Sequence, residues 1–191
     1  MTVKDGNSNS YTVTPDSPST YEGTAGQVWL FYLLSAPANA SATITASWTT
    51  SVSCAIFASE FSYSGTASYD IDAAAYTGTA GTTINTPSIT GAGSGELLYS
   101  AAAAGGNVSA PTAGNTLGGW TGAGINATSG DAAEYILSSS GSSTAVDYTQ
   151  SSGTWSAMAM AIKVAVAFPG DEDFWAGLKP APSDSPVTVW S

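Results

Sequence analysis

Between Ser10 and Ala167 the chain runs in segments of five to ten residues, rich in β-branched and aromatic types, cut by clusters of Gly, Ser, Asn and Pro. Such alternation of strand-forming segments with turn-forming clusters is the pattern of an all-β sandwich or barrel. Strands are expected over Ser10–Thr14, Gln27–Leu34, Ala42–Thr49, Cys54–Tyr63, Thr82–Thr90, Glu96–Ala102, Glu134–Ser139, Thr144–Gln150 and Thr154–Ala167. In Ala42–Thr49 strict alternation puts Ala42, Ile44, Ala46 and Trp48 on one face and Thr43, Thr45, Ser47 and Thr49 on the other, so that strand has a wet face. Met158–Ile162 and Trp29–Leu34 are apolar on both parities, as expected of strands covered on both sides. The alanine runs Ala73–Ala75 and Ala101–Ala104 lack the length and period of a helix and read as strand ends and loops. From Gly105 to Gly130 the density of Gly, Asn and Thr reads as a long surface excursion anchored by Trp120.

Missing side chains exclude much chemistry. The 191 residues carry 14 acidic groups, three lysines, no arginine and no histidine, for a formal net charge of -11. Without His there is no imidazole base for a Ser or Cys nucleophile and no imidazole metal ligand. Without Arg, and with that charge, the phosphate forks and basic surface of a nucleic-acid binder are lacking. Anionic lipid is repelled in the same way, so partners are expected to be neutral or basic. The longest apolar stretch, Ala157–Phe168, is too short to span a membrane and contains Lys163. Cys54 is the single cysteine; it sits in an apolar run and reads as a small buried hydrophobe. The N-terminus shows no apolar signal region.

The length suits one domain and a tail. Residues 1–168 read as the β domain and 169–191 as an extended C-terminal tail. That tail holds the acidic trio Asp171-Glu172-Asp173, a proline-punctuated linker over Lys179–Pro186, and a β-prone end, Val187-Thr188-Val189-Trp190. Phe174, Trp175, Val187, Val189 and Trp190 are the expected partner-binding residues, packing on their own domain or adding a strand to a neighbour's sheet edge.

The succession Asp5–Tyr11, Val28–Tyr32, Ile56–Ser62, Leu97–Tyr99 and Trp155–Lys163 resembles a family of β-sandwich, jelly-roll or lectin-like modules found in phage structural proteins and exported bacterial surface proteins. The resemblance spans residues 3 to 163 and rests on strand patterns. It implies adhesion, decoration or structural roles. Such modules have an apolar first strand before the Asp/Gly/Asn turn, which the sequence here lacks. The sheet is therefore expected to have an open edge that Val187–Trp190 fills.

Asp5, Asn7 and Asn9 have the spacing that opens a calcium loop, but no acid follows at the twelfth position, and the stretch reads as a turn. Asp70 and Asp72 share a strand face and are expected to meet water. Glu60, with Glu96 or Glu134, is the carboxylate pair a glycosidase would use, though no spacing brings them together. Trp120, Tyr76 and Trp175 are the aromatics that a glycan site would stack on. The sequons at Asn39, Asn107 and Asn126 are of the kind that arise by chance in a Ser/Thr-rich chain. The expectation is a non-enzymatic structural protein with no metal or cofactor. It is a virion-surface or extracellular component that oligomerises or joins other virion proteins, with carbohydrate binding or adhesion as the alternative.

Overall fold

A computed structural model describes residues 1–21, 26–37, 43–50, 54–85, 87–90, 95–110, 114, 116–117, 119–126, 130–137, 143–144, 148–165 and 179–180. Among them there is no helix, and every strand pairing is antiparallel. In chain order the strands are β1 (Thr2–Asp5), β2 (Thr12–Val13), β3 (Ser19–Tyr21), β4 (Gly26–Val28), β5 (Phe31–Tyr32), β6 (Ile44–Ser47), β7 (Phe61–Ser62), β8 (Thr66–Thr83), β9 (Ile89–Thr90), β10 (Leu97–Ala104), β11 (Val108–Ser109), β12 (Thr116–Leu117), β13 (Trp120–Asn126), β14 (Asp131–Ile136), β15 (Ser143–Thr144), β16 (Thr149–Ala165) and β17 (Lys179–Pro180).

A seven-stranded sheet dominates. Along it β8 pairs β16, β16 pairs β10 and β11, and β10 continues through β14 and β13 to β12. The ladder at its centre sets Leu97 against Ile162 and Ala104 against Trp155, with Tyr99, Ser100, Ala101 and Ala102 opposite Met160, Ala159, Met158 and Ala157. Alternation divides the side chains between two cores. Leu98, Ala102, Ala104, Ala157, Ala159 and Ala161 join Trp120, Tyr148, Ile84 and Ile89 on one face. Leu97, Tyr99, Met158, Met160 and Ile162 join Val28, Leu30 and Tyr135 on the other. Met158–Ile162 is thus covered on both sides, as its composition requires.

Two-stranded pairs surround the sheet. β3 and β4 form one, β2 and β5 another, and β9 pairs with β15. Val28 and Leu30 carry the first region onto the Met158 face, while Ile89 sits in the core of the opposite face. In β6, Thr45 and Ser47 are exposed while Ile44 and Ala46 are half-buried, the wet face that the alternation calls for.

Several expectations are corrected. Thr2–Asp5 is a first strand, paired with β6 through Val3 and Ala46, so the chain does not start at the turn. Val3 is only 8% exposed and supplies the apolar anchor. The described part of Gly105–Gly130 is largely strand rather than a surface excursion, with β11, β12 and β13 in it, and Trp120, its expected anchor, is fully buried. Ala73–Ala75 lies in the interior of β8 rather than at a strand end or in a loop, while Ala101–Ala104 forms the end of β10 as expected. Of Cys54–Tyr63 only Phe61–Ser62 is strand, and Cys54 is exposed. Trp29, Phe31 and Tyr32 are half-buried rather than interior, and of Trp29–Leu34 only Phe31–Tyr32 is strand, paired with the two-residue β2.

Two glycines mark where backbone comes close. The Phe57 ring lies where a Cβ on Gly124 would stand, beside the β-bulge of β13. Gly130 has φ +78, its carbonyl accepts from the Ala104 amide at 2.7 Å, and a Cβ there would strike the Ala104 carbonyl. Gly130→Ala is therefore expected to lose about 1–3 kcal/mol of stability in a urea titration, from the left-handed backbone and the clash together. An unchanged midpoint would show that the turn relaxes freely.

Candidate functional site

Strand β8 is the site's frame. Over Ile71–Thr77 it runs in unbroken register with β16, from Ile71 opposite Ala161 to Thr77 opposite Trp155. Among the described residues β16 is its only strand partner, and β3 lies against it, joined through Ser19 and Ala75. Alternation sends Ala73 and Ala75 to the Ala159 face, where they pack on the core, and Asp72, Ala74 and Tyr76 to the Met158 face. Tyr76 is 69% exposed and Ile71 44%.

The two carboxylates of β8 do different things, because a register shift separates Tyr69 from Ile71 and leaves Asp70 out of step with β16. Asp70 meets Lys163 Nζ at 2.8 Å, and that hydrogen bond and charge raise the lysine's pKa. Asp72 turns inward and is 9% exposed. Its carboxylate accepts from the Tyr69 hydroxyl and, at 2.8 Å, from the Asp16 amide. Tyr69 in turn stacks on Tyr32, with ring centroids 5.3 Å apart. Burial, then the bond to Asp72, pushes the Tyr69 phenol well up. Both acids were expected to face water. Instead each is engaged within the chain, one by a cation and one by two donors.

The loop that delivers Asp16 docks beside the edge. Ser17 Oγ accepts from the Leu30 amide at 3.0 Å and lies 3.4 Å from Met158 Sδ. Ser19 Oγ donates to the Ala75 carbonyl at 3.0 Å. These contacts clamp the N-terminal ribbons onto β8 and β16.

The other proposed residues scatter. Trp120, named for glycan stacking, is fully buried and has no face to offer a sugar. Tyr76 is exposed, as such a role requires, and lies on β8. Phe174, Trp175, Val187, Val189 and Trp190, with the acidic trio, lie outside the described residues; of the tail, Lys179 and Pro180 pair with Ser62 and Phe61. The three glutamates have different neighbours. Glu60 is exposed and acts on Tyr11, Glu96 is buried and acts on Lys163, and Glu134 is fully buried and acts on Tyr148.

Asp5 is spent on its own turn. Its Oδ1 accepts from the Asn7 and Asn9 amides at 2.9 and 2.8 Å and its Oδ2 from Asn9 Nδ2 at 2.8 Å, which lowers its pKa. Among the described residues no three His, Cys, Asp or Glu side chains group as metal ligands would.

Sequence reasoning missed the buried polar line through the sheet. Ser100 and Glu134 stand opposite each other in register, Ser100 Oγ donates to the Met158 carbonyl at 2.8 Å, and the Tyr148 hydroxyl donates to the Ser100 carbonyl at 3.1 Å. The pattern of polar residues inside apolar strands was its one sequence signal. Comparison with family models, with curated proteins and with solved structures finds no match to this chain.

Burial raises the phenols of Tyr99, Tyr135 and Tyr148 as well as Tyr69, with the charge of Glu134 adding to the effect on Tyr148. A phenol whose folded pKa exceeds its unfolded value contributes stability that is complete below the unfolded value of 10.0 and lost as pH rises through the folded one. Stability on account of these groups should stay level through neutral pH and fall above about pH 10. The part of the phenolate absorbance that belongs to these four tyrosines should then rise only in one cooperative step together with loss of the β signal in circular dichroism. Gradual ionisation of all nine tyrosines with the fold intact would contradict the burial.

Proposed function

We propose that this chain is a non-enzymatic assembly protein of the virion-surface kind, a decoration, tail or fibre component that joins copies of itself or a larger particle. One observation carries the reading: β8, 18 residues long, closes one side of the sheet and pairs only with β16 among the described residues. Unpaired strand edges recruit other strands, and a long one that keeps two large apolar side chains in solvent is suited to a partner. The chemical inventory supports the same reading. A chain without histidine or arginine is poor in catalytic groups and, at a net charge of -11, stays soluble until it meets a shape-matched neighbour. The C-terminal segment, through Phe174, Trp175, Val187, Val189 and Trp190, is proposed as a further contact, and the protein's place as outside the cell, on a particle. The burial of Trp120 takes a residue from the glycan reading and leaves Tyr76 as its described aromatic, so that reading is not carried further.

Light scattering of the full chain over a range of concentrations should give a defined multiple of the 19.1 kDa chain mass. A mass that stays at one chain throughout would contradict an assembly role.

A further inference from the structure

We propose that residues 181–187 continue β17 as a strand along residues 54–60 of the same chain, so that the open backbone of that stretch is closed from within. The pairing is intramolecular and stands whether or not the chain assembles.

Residues 54–60 lead into β7 with the side-chain alternation of a strand but without its ladder. Phe57, Ser59, Phe61 and Tyr63 turn toward the Met158 face. The Phe57 ring lies against Gly124, Ser59 Oγ is 3.4 Å from the Tyr99 hydroxyl, Phe61 meets the rings of Tyr99 and Tyr135, and Tyr63 packs on the same core. Among the described residues, however, no strand pairs with residues 54–60, and β7 begins only at Phe61. What the stretch lacks is a partner.

Direction and proline spacing select the occupant. Lys179 stands opposite Ser62 and Pro180 opposite Phe61, antiparallel, so a strand continued beyond Pro180 heads back along Glu60 toward Cys54. The same register sets Ala181, Ser183, Ser185 and Val187 opposite Glu60, Ala58, Ile56 and Cys54. Proline has no amide to donate, so Pro180 and Phe61 form a pair that exchanges no hydrogen bonds, and the exchange falls to the pairs on either side. Pro182 and Pro186 share the parity of Pro180. All three prolines then turn their missing amide to the outer edge, while Ala181, Ser183, Ser185 and Val187 keep donor and acceptor for the inner one. Proline confined to the outward side is what an edge strand tolerates and what guards it against further pairing. Charge agrees, since Lys179, one of three lysines in a chain of net charge -11, falls on the same face as the exposed Glu60 and diagonal to it across the ladder. Val187 and Val189 share the parity of Lys179, whose partner Ser62 is exposed, so the pairing leaves both to the contact proposed for them.

The test is residue-resolved amide exchange on the full chain beside Ser183→Pro and Asp184→Pro. Ser183→Pro removes an inward donor and should make the amides of Ile56, Ala58 and Glu60 exchange at least about tenfold faster, whereas Asp184→Pro, at the outward parity, should leave them unchanged. Equal effects of the two variants, or no protection of those amides in the unaltered chain, would overturn the pairing. Cross-linking separates the chain's own segment from a neighbour's. In a Cys54→Ser background, Ala58→Cys with Ser183→Cys should oxidise to a disulfide that keeps the mass of one chain on a denaturing gel, and Ala58→Cys with Asp184→Cys, on opposite faces, should not. Absence of the first disulfide, equal formation of both, or a bond between chains would overturn the inference. Each of these outcomes is read apart from the light-scattering mass that tests the assembly reading.

Discussion

The ladder between β10 and β16 is the constraint on which everything else rests. Both strands are buried on two faces, so their side chains must serve two cores at once. The solution is to make one face small. Ala157, Ala159 and Ala161 are fully buried and stand between Met158, Met160 and Ile162, which point the other way. Large aromatics then arrive from neighbouring elements, Trp120 and Tyr148 on the alanine face and Tyr135 on the methionine face. Burying each such side chain is worth roughly 1.5–3 kcal/mol, and close packing makes the contribution sensitive to a single methyl group.

Polar groups carried into this interior are tied to the same ladder. Ser100 bonds the carbonyl of Met158, and Tyr148 bonds the carbonyl of Ser100, so a hydroxyl from each fixes backbone that is already paired. Asp72 does for the rim what Ser100 does for the centre. It draws the Asp16 loop down onto β8, and with Ser17 and Ser19 it sets where the N-terminal ribbons lie. Both acids of β8 are thus engaged within the chain, Asp70 by Lys163 and Asp72 by Tyr69 and the Asp16 amide.

Local sequence carried the central ladder and not the edge. Met158–Ile162 declared itself by apolar residues at both parities, Ile44–Ser47 by strict alternation, and Glu96–Ala102 by its strand-forming composition; the same two-parity pattern in Trp29–Leu34 misled, because most of that run is half-buried. β8 did not. Its Asp70, Asp72, Gly78, Gly81 and three consecutive alanines are weak strand formers, and what makes them a strand is the neighbouring β16, far along the chain. Trp120, buried as an anchor should be, was misplaced only as a glycan-stacking aromatic, and the stretch around it was misread for a related reason. The Gly- and Asn-rich residues around it look like loop, whereas β14, which lies beside β13, decides its burial. Asp72 is held by an amide 56 residues away, a separation no local pattern reports. The exposure of Tyr76 was legible, whereas the pairing of Lys179 and Pro180 with β7 was not, since those residues read as the start of an extended linker.

Backbone hydrogen exchange on the full chain tests the primacy of the ladder most directly. If β10 and β16 are the frame, the amides of Tyr99–Ala103 and Ala157–Ala161 should exchange slowest, opening only with global unfolding, while those of β1 and β6 exchange through local fraying. Protection that is greatest in the peripheral ribbons, or ladder amides that exchange before the fold is lost, would contradict the account.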